Sequence, residues 1–145
     1  MTLAFRNVNA RVEDPVETWP QEAVLAALER GSLSHWRRIA RALGEDPWGP
    51  VARAVEEILT YSRPYGVAEL METALADARA TADERDRQEA AARVRSAVDR
   101  TGMTVTEFAS RIGTSRSRMS TYLSGKVSPS AALLVRMERL ADQSA

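Results

Sequence analysis

Residues 116–121 bring together side chains that can hydrogen-bond to the edges of nucleic-acid bases. The set consists of Arg116, Ser117, Arg118 and Thr121. An arginine guanidinium can donate two parallel hydrogen bonds to O6 and N7 of guanine, and a serine or threonine hydroxyl can bond to several base or phosphate atoms. These side chains therefore have the chemistry to read bases if their segment meets a duplex, and Arg118 could reach either a base or a phosphate.

A second set of polar side chains flanks this segment and suits the phosphate backbone. Hydroxyl and ammonium groups that bind phosphates fix the position of a protein on a duplex without reading its sequence. The candidates for phosphate contact are Thr104, Thr106, Ser124, Lys126 and Ser128.

No comparable set of residues indicates catalysis. The sequence has no cysteine and a single histidine, His35, and it contains no glycine-rich phosphate loop and no metal-ligand spacing. Carboxylate pairs such as Glu56-Glu57 and Asp83-Glu84 are adjacent in sequence, so they lie on different faces of a helix. We therefore expect no catalytic residue, no metal site and no cofactor.

The elements that must position these residues are predicted to be short helices. Thr104 and Glu107 have the spacing of a capping box, and Gly113 supplies a sharp turn after the helix that follows. Ser115 can cap the next helix, which runs to about residue 124 and carries the base-reading set. Three apolar residues define the inward face of that helix: Met119, Tyr122 and Leu123.

The segment TVTEFASRIGTSRSRMSTYLSGK (104–126) resembles the phage lambda repressor/Cro-like family, also called the XRE family of helix-turn-helix regulators. The resemblance extends over residues 90–142. It implies a recognition helix at about 115–124 that enters the major groove of double-stranded DNA. It also implies base contact most strongly at Arg116, Ser117 and Thr121. The family often has glutamine early in its second helix, where this chain has Val105 and Thr106.

The remainder of the chain also reads as helix, so the fold class is all-α. We predict a loose arm over residues 1–15, a helical bundle over 16–82 and the helix-turn-helix domain over 87–145. Residues 67–101 contain neither glycine nor proline but include the polar stretch TADERDRQEA (81–90). That stretch is either the exposed middle of one long helix, acting as a helical connector, or a hinge.

The net charge of zero hides an asymmetry between the two parts of the chain. Residues 1–86 carry 10 basic and 15 acidic residues, whereas residues 87–145 carry 10 basic and 5 acidic residues. A basic segment suits a polyanion, and an acidic segment suits some other partner. All three tryptophans lie in the acidic segment, where they either fill the core or anchor a partner: Trp19, Trp36 and Trp48.

Three functions fit these patterns. The first is a sequence-specific transcriptional regulator that binds double-stranded DNA as a homodimer. The second is an antitoxin that represses its own operon and masks a toxin, or binds another protein, through residues 16–80. The third is an interaction module that keeps the fold without binding DNA. The sequence has no apolar run as long as a membrane span and no apolar leader, so we expect a cytoplasmic protein without membrane contact.

Overall fold

The structure, a computed structural model, describes residues 2–144. This part of the chain is all-helical and contains no strand, which confirms the predicted fold class. A short 3-10 turn at Val16–Thr18 precedes seven α-helices: α1 Gln21–Arg30, α2 Leu33–Glu45, α3 Pro50–Leu59, α4 Val67–Thr101, α5 Val105–Ile112, α6 Arg116–Ser124 and α7 Ala131–Gln143. The fold divides between Ala82 and Asp83 into two compact units, each with its own core.

The first unit packs α1, α2, α3 and the first part of α4 around one apolar core. Pro50 opens α3 at its first position, where the missing N–H of proline costs nothing. The apolar residues of these helices recur with the helical period, so they share one face of each helix and are buried together in the core. The largest fully buried side chains are Val24, Leu28, Ile39, Leu43, Val55, Ile58 and Met71.

Residues 2–15 correct the prediction of a loose arm over residues 1–15. They form no helix, yet Leu3 is buried and Phe5 packs edge-to-face on Trp19, with ring centroids 5.0 Å apart. Arg38 of α2 donates hydrogen bonds to the carbonyl oxygens of Val12 and Asp14, at 2.8 and 3.0 Å. The apolar residues of this segment have no regular spacing, so their burial produced no periodic signal. Met1 lies outside the described residues.

The three tryptophans of the first unit divide between the core and the surface. Trp19 is buried, and its indole N–H donates to the carbonyl oxygen of Asp14 at 3.1 Å. The indole N–H of Trp36 donates to the carbonyl oxygen of Ala27 at 2.9 Å. Trp48 remains 50% exposed. Two tryptophans therefore stabilise the unit, whereas Trp48 presents a large aromatic surface to solvent.

His35 has a structural role at the start of α2. Its Nδ1 accepts a hydrogen bond from the backbone N–H of Ser32 at 2.9 Å, which completes a capping box with the Ser32 side chain. A histidine in this position satisfies a helix-terminal donor that would otherwise lack a partner within the helix.

Residues Val67–Thr101 form one continuous helix of 35 residues, α4. From the sequence alone, the polar stretch 81–90 could be either the middle of one helix or a hinge between two. Continuity fits the composition of that stretch, because alanine, glutamate, arginine and glutamine are all good helix formers.

The second unit packs the last part of α4 against α5, α6 and α7. Its fully buried core includes Val94 and Ala97 of α4, Phe108 and Ile112 of α5, Met119 of α6 and Met137 of α7. Two ion pairs join α4 to α7: Arg93 with Glu138 and Arg100 with Asp142. The hydrogen bonds to Glu138 raise the pKa of the Arg93 guanidinium.

Candidate nucleic-acid interface

A tight turn between α5 and α6 sets the position of the base-reading residues. Thr104 caps α5, with its hydroxyl oxygen accepting the N–H of Glu107 at 3.1 Å. Phe108 anchors α5 in the core of the unit. Gly113 then adopts a left-handed conformation with φ +81°, which ends α5 and reverses the chain. A residue with a Cβ would be strained at this position.

The first turn of α6 presents three polar side chains to solvent. Ser115 caps the helix, and its hydroxyl oxygen accepts the N–H of Arg118 at 3.1 Å. Met119 is fully buried and fixes the rotation of α6. Arg116, Ser117 and Arg118 are consequently exposed together at the helix N-terminus. They are three of the four residues for which the sequence predicts base contact, and Thr121 is the fourth.

Thr121 lies one turn further along α6 and is partly exposed. Its hydroxyl donates a hydrogen bond to the carbonyl oxygen of Arg118 at 2.6 Å. The proton of this hydroxyl is therefore used inside the helix, and the oxygen keeps its capacity to accept.

The candidates for phosphate contact fall into two groups. Thr104 and Ser124 take part in local structure, because Thr104 caps α5 and the Ser124 hydroxyl accepts the N–H of Lys126 at 3.3 Å. All five candidates are exposed; Thr106 lies at the start of α5, and Lys126 and Ser128 lie in the loop after α6.

The segment that carries these side chains is uniformly basic. From residue 116 to residue 128 it contains Arg116, Arg118 and Lys126, and it contains no aspartate or glutamate. A phosphate backbone approaching α6 therefore meets three cations and no carboxylate of this segment. Such a surface attracts a polyanion in a salt-dependent manner.

Two residues of α4 lie against the C-terminal end of α6, and sequence analysis missed both. The guanidinium of Arg95 donates to the carbonyl oxygen of Leu123 at 2.7 Å. Gly125, with φ +81°, lies so close to the Gln88 side chain that a Cβ would come within 2.6 Å of the amide nitrogen. An exposed arginine or glutamine on a polar helix gives no signal of which carbonyl or glycine it will meet.

A second arginine that binds a helix end comes from α7. The guanidinium of Arg136 donates to the carbonyl oxygen of Ile112 at 2.8 Å, at the end of α5. Both helices of the turn thus have a terminal carbonyl bound by an arginine from a neighbouring helix. These contacts fix the two helices relative to each other, because the final carbonyl groups of a helix have no partner within it.

Comparison with known proteins bears on this unit alone. A family model described as a helix-turn-helix domain matches residues 89–144. Residues 89–144 are therefore similar to helix-turn-helix domains of the lambda repressor-like class. The match to this helix-turn-helix domain does not extend into residues 1–88. Neither the curated proteins nor the solved structures gave a match to the chain.

The described residues offer no arrangement for a metal ion, and none of their helices is both long and apolar enough to cross a membrane.

Proposed function

We propose that this protein is a sequence-specific, DNA-binding transcriptional regulator that reads base edges through α6. The observation that carries this proposal is the joint exposure of Arg116, Ser117 and Arg118 on the first turn of α6, while Met119, the next residue along the helix, is fully buried. A recognition helix uses its N-terminal residues to contact bases in the major groove of a duplex.

Contacts to the duplex divide by what each side chain can reach. Arg116, Ser117 and Thr121 contact bases, and Arg118 contacts a base or a phosphate. The phosphate contacts come from Thr104, Thr106, Ser124, Lys126 and Ser128. The partner is double-stranded DNA, and the protein acts in the cytoplasm, where that DNA is accessible.

The regulator acts as a homodimer. One nine-residue recognition helix covers few base pairs, so a single copy would have little selectivity. Two copies related by a two-fold axis read two half-sites about 10–10.5 base pairs apart. Dimerisation through residues outside 89–144 would leave both recognition helices available to DNA.

Selection of bound sites from random duplexes tests this function. The expected result is an enriched sequence with two related half-sites, bound at least about a thousandfold more tightly than a scrambled duplex. Titrations over a salt series must accompany the selection, because any basic surface binds DNA at low salt. Equal affinity for selected and scrambled duplexes at every salt concentration would contradict the proposal.

The acidic charge of the first part of the chain favours a second candidate, an antitoxin that binds a basic toxin there and represses its own operon. Residues 1–86 carry 15 acidic against 10 basic residues, and Trp48 is half exposed. Co-purification with the product of a neighbouring gene tests this candidate. A protein that is purified without any such product, yet still selects a DNA sequence, is a regulator alone.

A further inference from the structure

Four charged side chains form an alternating pattern on the surface between α3 and α4. At one end of this surface Glu56 pairs with Arg79, and at the other end Arg63 pairs with Glu72. The α3 side thus carries a negative and then a positive charge, and the α4 side carries a positive and then a negative charge. Glu56 and Arg63 are seven residues apart, and so are Glu72 and Arg79. Each end of the surface therefore has one carboxylate and one guanidinium, on opposite sides at the two ends.

A groove of about 360 Å³ lies between the two ion pairs. Its floor contains Leu59 and Leu75, which are almost fully buried, and its centre contains the small exposed residues Thr60 and Ala76. The groove therefore has an apolar floor and a charged corner at each of four positions.

This pattern of charges is complementary to itself. A two-fold axis in the plane of this surface, either along or across the groove, places every carboxylate of one copy opposite a guanidinium of the other. A two-fold interface requires this property because the same patch lies on both sides. A uniformly basic or uniformly acidic partner would instead meet like charge at two of the four corners.

An exposed aromatic ring extends the surface at one end. The guanidinium of Arg79 lies 5.7 Å from the ring centroid of Trp48, and its Nε donates to the carbonyl oxygen of Pro47 at 3.0 Å. Arginine stacked on tryptophan is held in place before binding, and both residue types are enriched at the centres of protein interfaces.

We propose that the groove between Glu56–Arg79 and Arg63–Glu72 binds the same groove of a second copy of this chain. Each end of the interface then contains two carboxylates and two guanidinium groups in alternation. Such a network stabilises more than isolated surface pairs do. The inference rests on the homodimer of the proposed function and does not depend on DNA reading.

The first test fills the centre of the groove in the full-length chain. Ala76→Arg adds a long charged side chain to an exposed position, so folding should be unaffected while docking is blocked. Ala92→Arg is the matched control, because Ala92 is also exposed on α4 and does not line the groove. Sedimentation equilibrium without DNA should show a dimer for the wild type and the control, and a dimer dissociation constant raised at least about tenfold for Ala76→Arg.

The second test uses the charges themselves. The double variant Glu56→Lys, Glu72→Lys makes all four corners positive, and the double variant Arg63→Glu, Arg79→Glu makes them all negative. Each alone should be monomeric, and an equimolar mixture should form a heterodimer. Circular dichroism shows whether loss of the Arg79 contacts unfolds the second variant. If it does, the result for Ala76→Arg alone decides whether the groove is the dimer interface.

These outcomes separate the interface from the proposed function. A wild-type monomer at tens of micromolar, or a dimer that Ala76→Arg leaves intact, overturns the inference even if the protein selects a DNA sequence. A dimer that is lost in Ala76→Arg supports the inference even if no DNA sequence is selected.

Discussion

Arg116 and Lys126 are both exposed cations of the basic segment, but they differ in what they can reach. Arg116 opens α6, whereas Lys126 follows the left-handed residue Gly125 and lies off the helix. In the proposed complex the first faces base edges and the second faces only the backbone of the duplex. The position of each side chain relative to α6, more than its charge, should therefore decide whether its loss weakens binding to the selected duplex alone or to all DNA.

Substitution of these two residues should separate sequence reading from electrostatic attraction. Arg116→Ala should cost about 1–3 kcal/mol on the selected duplex and relax the preference at one base position, with a much smaller effect on random DNA. Lys126→Ala should weaken binding to both duplexes alike and lower the salt dependence by about one ion. Titrations on both duplexes over a salt series measure the difference. Equal losses for both variants on both duplexes would reduce α6 to an electrostatic patch.

Arg95 should act on DNA selectivity without contacting DNA, because it binds the end of α6 through the carbonyl oxygen of Leu123. Arg95→Met keeps the length of the side chain and removes the donor, and it should lower the preference for the selected duplex by about 1 kcal/mol. Arg100→Met is the control, since it removes the same charge from the same helix but frees only Asp142. The measurement is the ratio of affinities for selected and scrambled duplexes. If both variants change that ratio equally, Arg95 acts through its charge alone.

At the scale of the elements, the ends of helices determine where the site lies. Gly125 combines a positive φ with close approach to Gln88, so it is restricted by backbone conformation and by space. Gly44, inside α2, has neither restriction: nothing lies within 4 Å of a Cβ built there. The same substitution at these two glycines should therefore have opposite effects.

Gly125→Ala should destabilise the protein by about 1–3 kcal/mol, because a non-glycine residue with positive φ is strained and its Cβ displaces Gln88. Gly44→Ala should stabilise it by about 0.4–1 kcal/mol through the reduced entropy of the unfolded chain. Chemical denaturation followed by circular dichroism gives both values. A stabilising Gly125→Ala would mean that the α6 terminus has a different conformation from the one described.

The helix-turn-helix elements could be predicted from sequence because their signals are local. Thr104, Ser115 and Gly113 each mark a helix end through the residue's own chemistry, and the structure has all three in those roles. The packing of residues 2–15 could not be predicted in this way, because it depends partly on Arg38, which is 24 and 26 positions from the residues it binds, Asp14 and Val12. The contact of Arg95 with Leu123 was missed for the same reason, since the two residues are 28 positions apart.

Phosphate contacts were predicted from residue type and position, and the structure shows why type alone is insufficient. Ser124 and Lys126 were grouped together in the sequence. In the structure the hydroxyl of Ser124 bridges Thr121 and Lys126, and the ammonium of Lys126 is exposed. Whether an exposed hydroxyl group such as that of Ser124 also closes a turn depends on backbone geometry that sequence spacing does not specify.

At the scale of the whole molecule, two separate cores share one helix, α4. All three tryptophans lie in the unit that ends at Ala82, so tryptophan emission reports that unit alone. Far-ultraviolet circular dichroism reports both units, because both are helical. The two signals can therefore follow the two cores independently.

Phe108→Ala should affect the circular dichroism signal and not the tryptophan emission, since Phe108 is fully buried in the core of the second unit. The lost burial and the cavity should cost about 3–5 kcal/mol, which is enough to unfold a unit of this size. The thermal transition seen by circular dichroism should lose amplitude or move to lower temperature, while the transition seen by tryptophan emission stays in place. Equal shifts of both signals would show that α4 makes the two cores unfold as one.

The hydroxyl of Thr121 has a consequence for which bases α6 would accept. Its proton is bound to the carbonyl oxygen of Arg118, so toward a base the group offers only lone pairs. In the major groove, lone pairs are satisfied by the amino groups of adenine and cytosine and are opposed by the carbonyl oxygens of guanine and thymine. We therefore expect an amino-bearing base opposite Thr121 in the selected site, a selectivity determined by the direction of one hydrogen bond inside the helix.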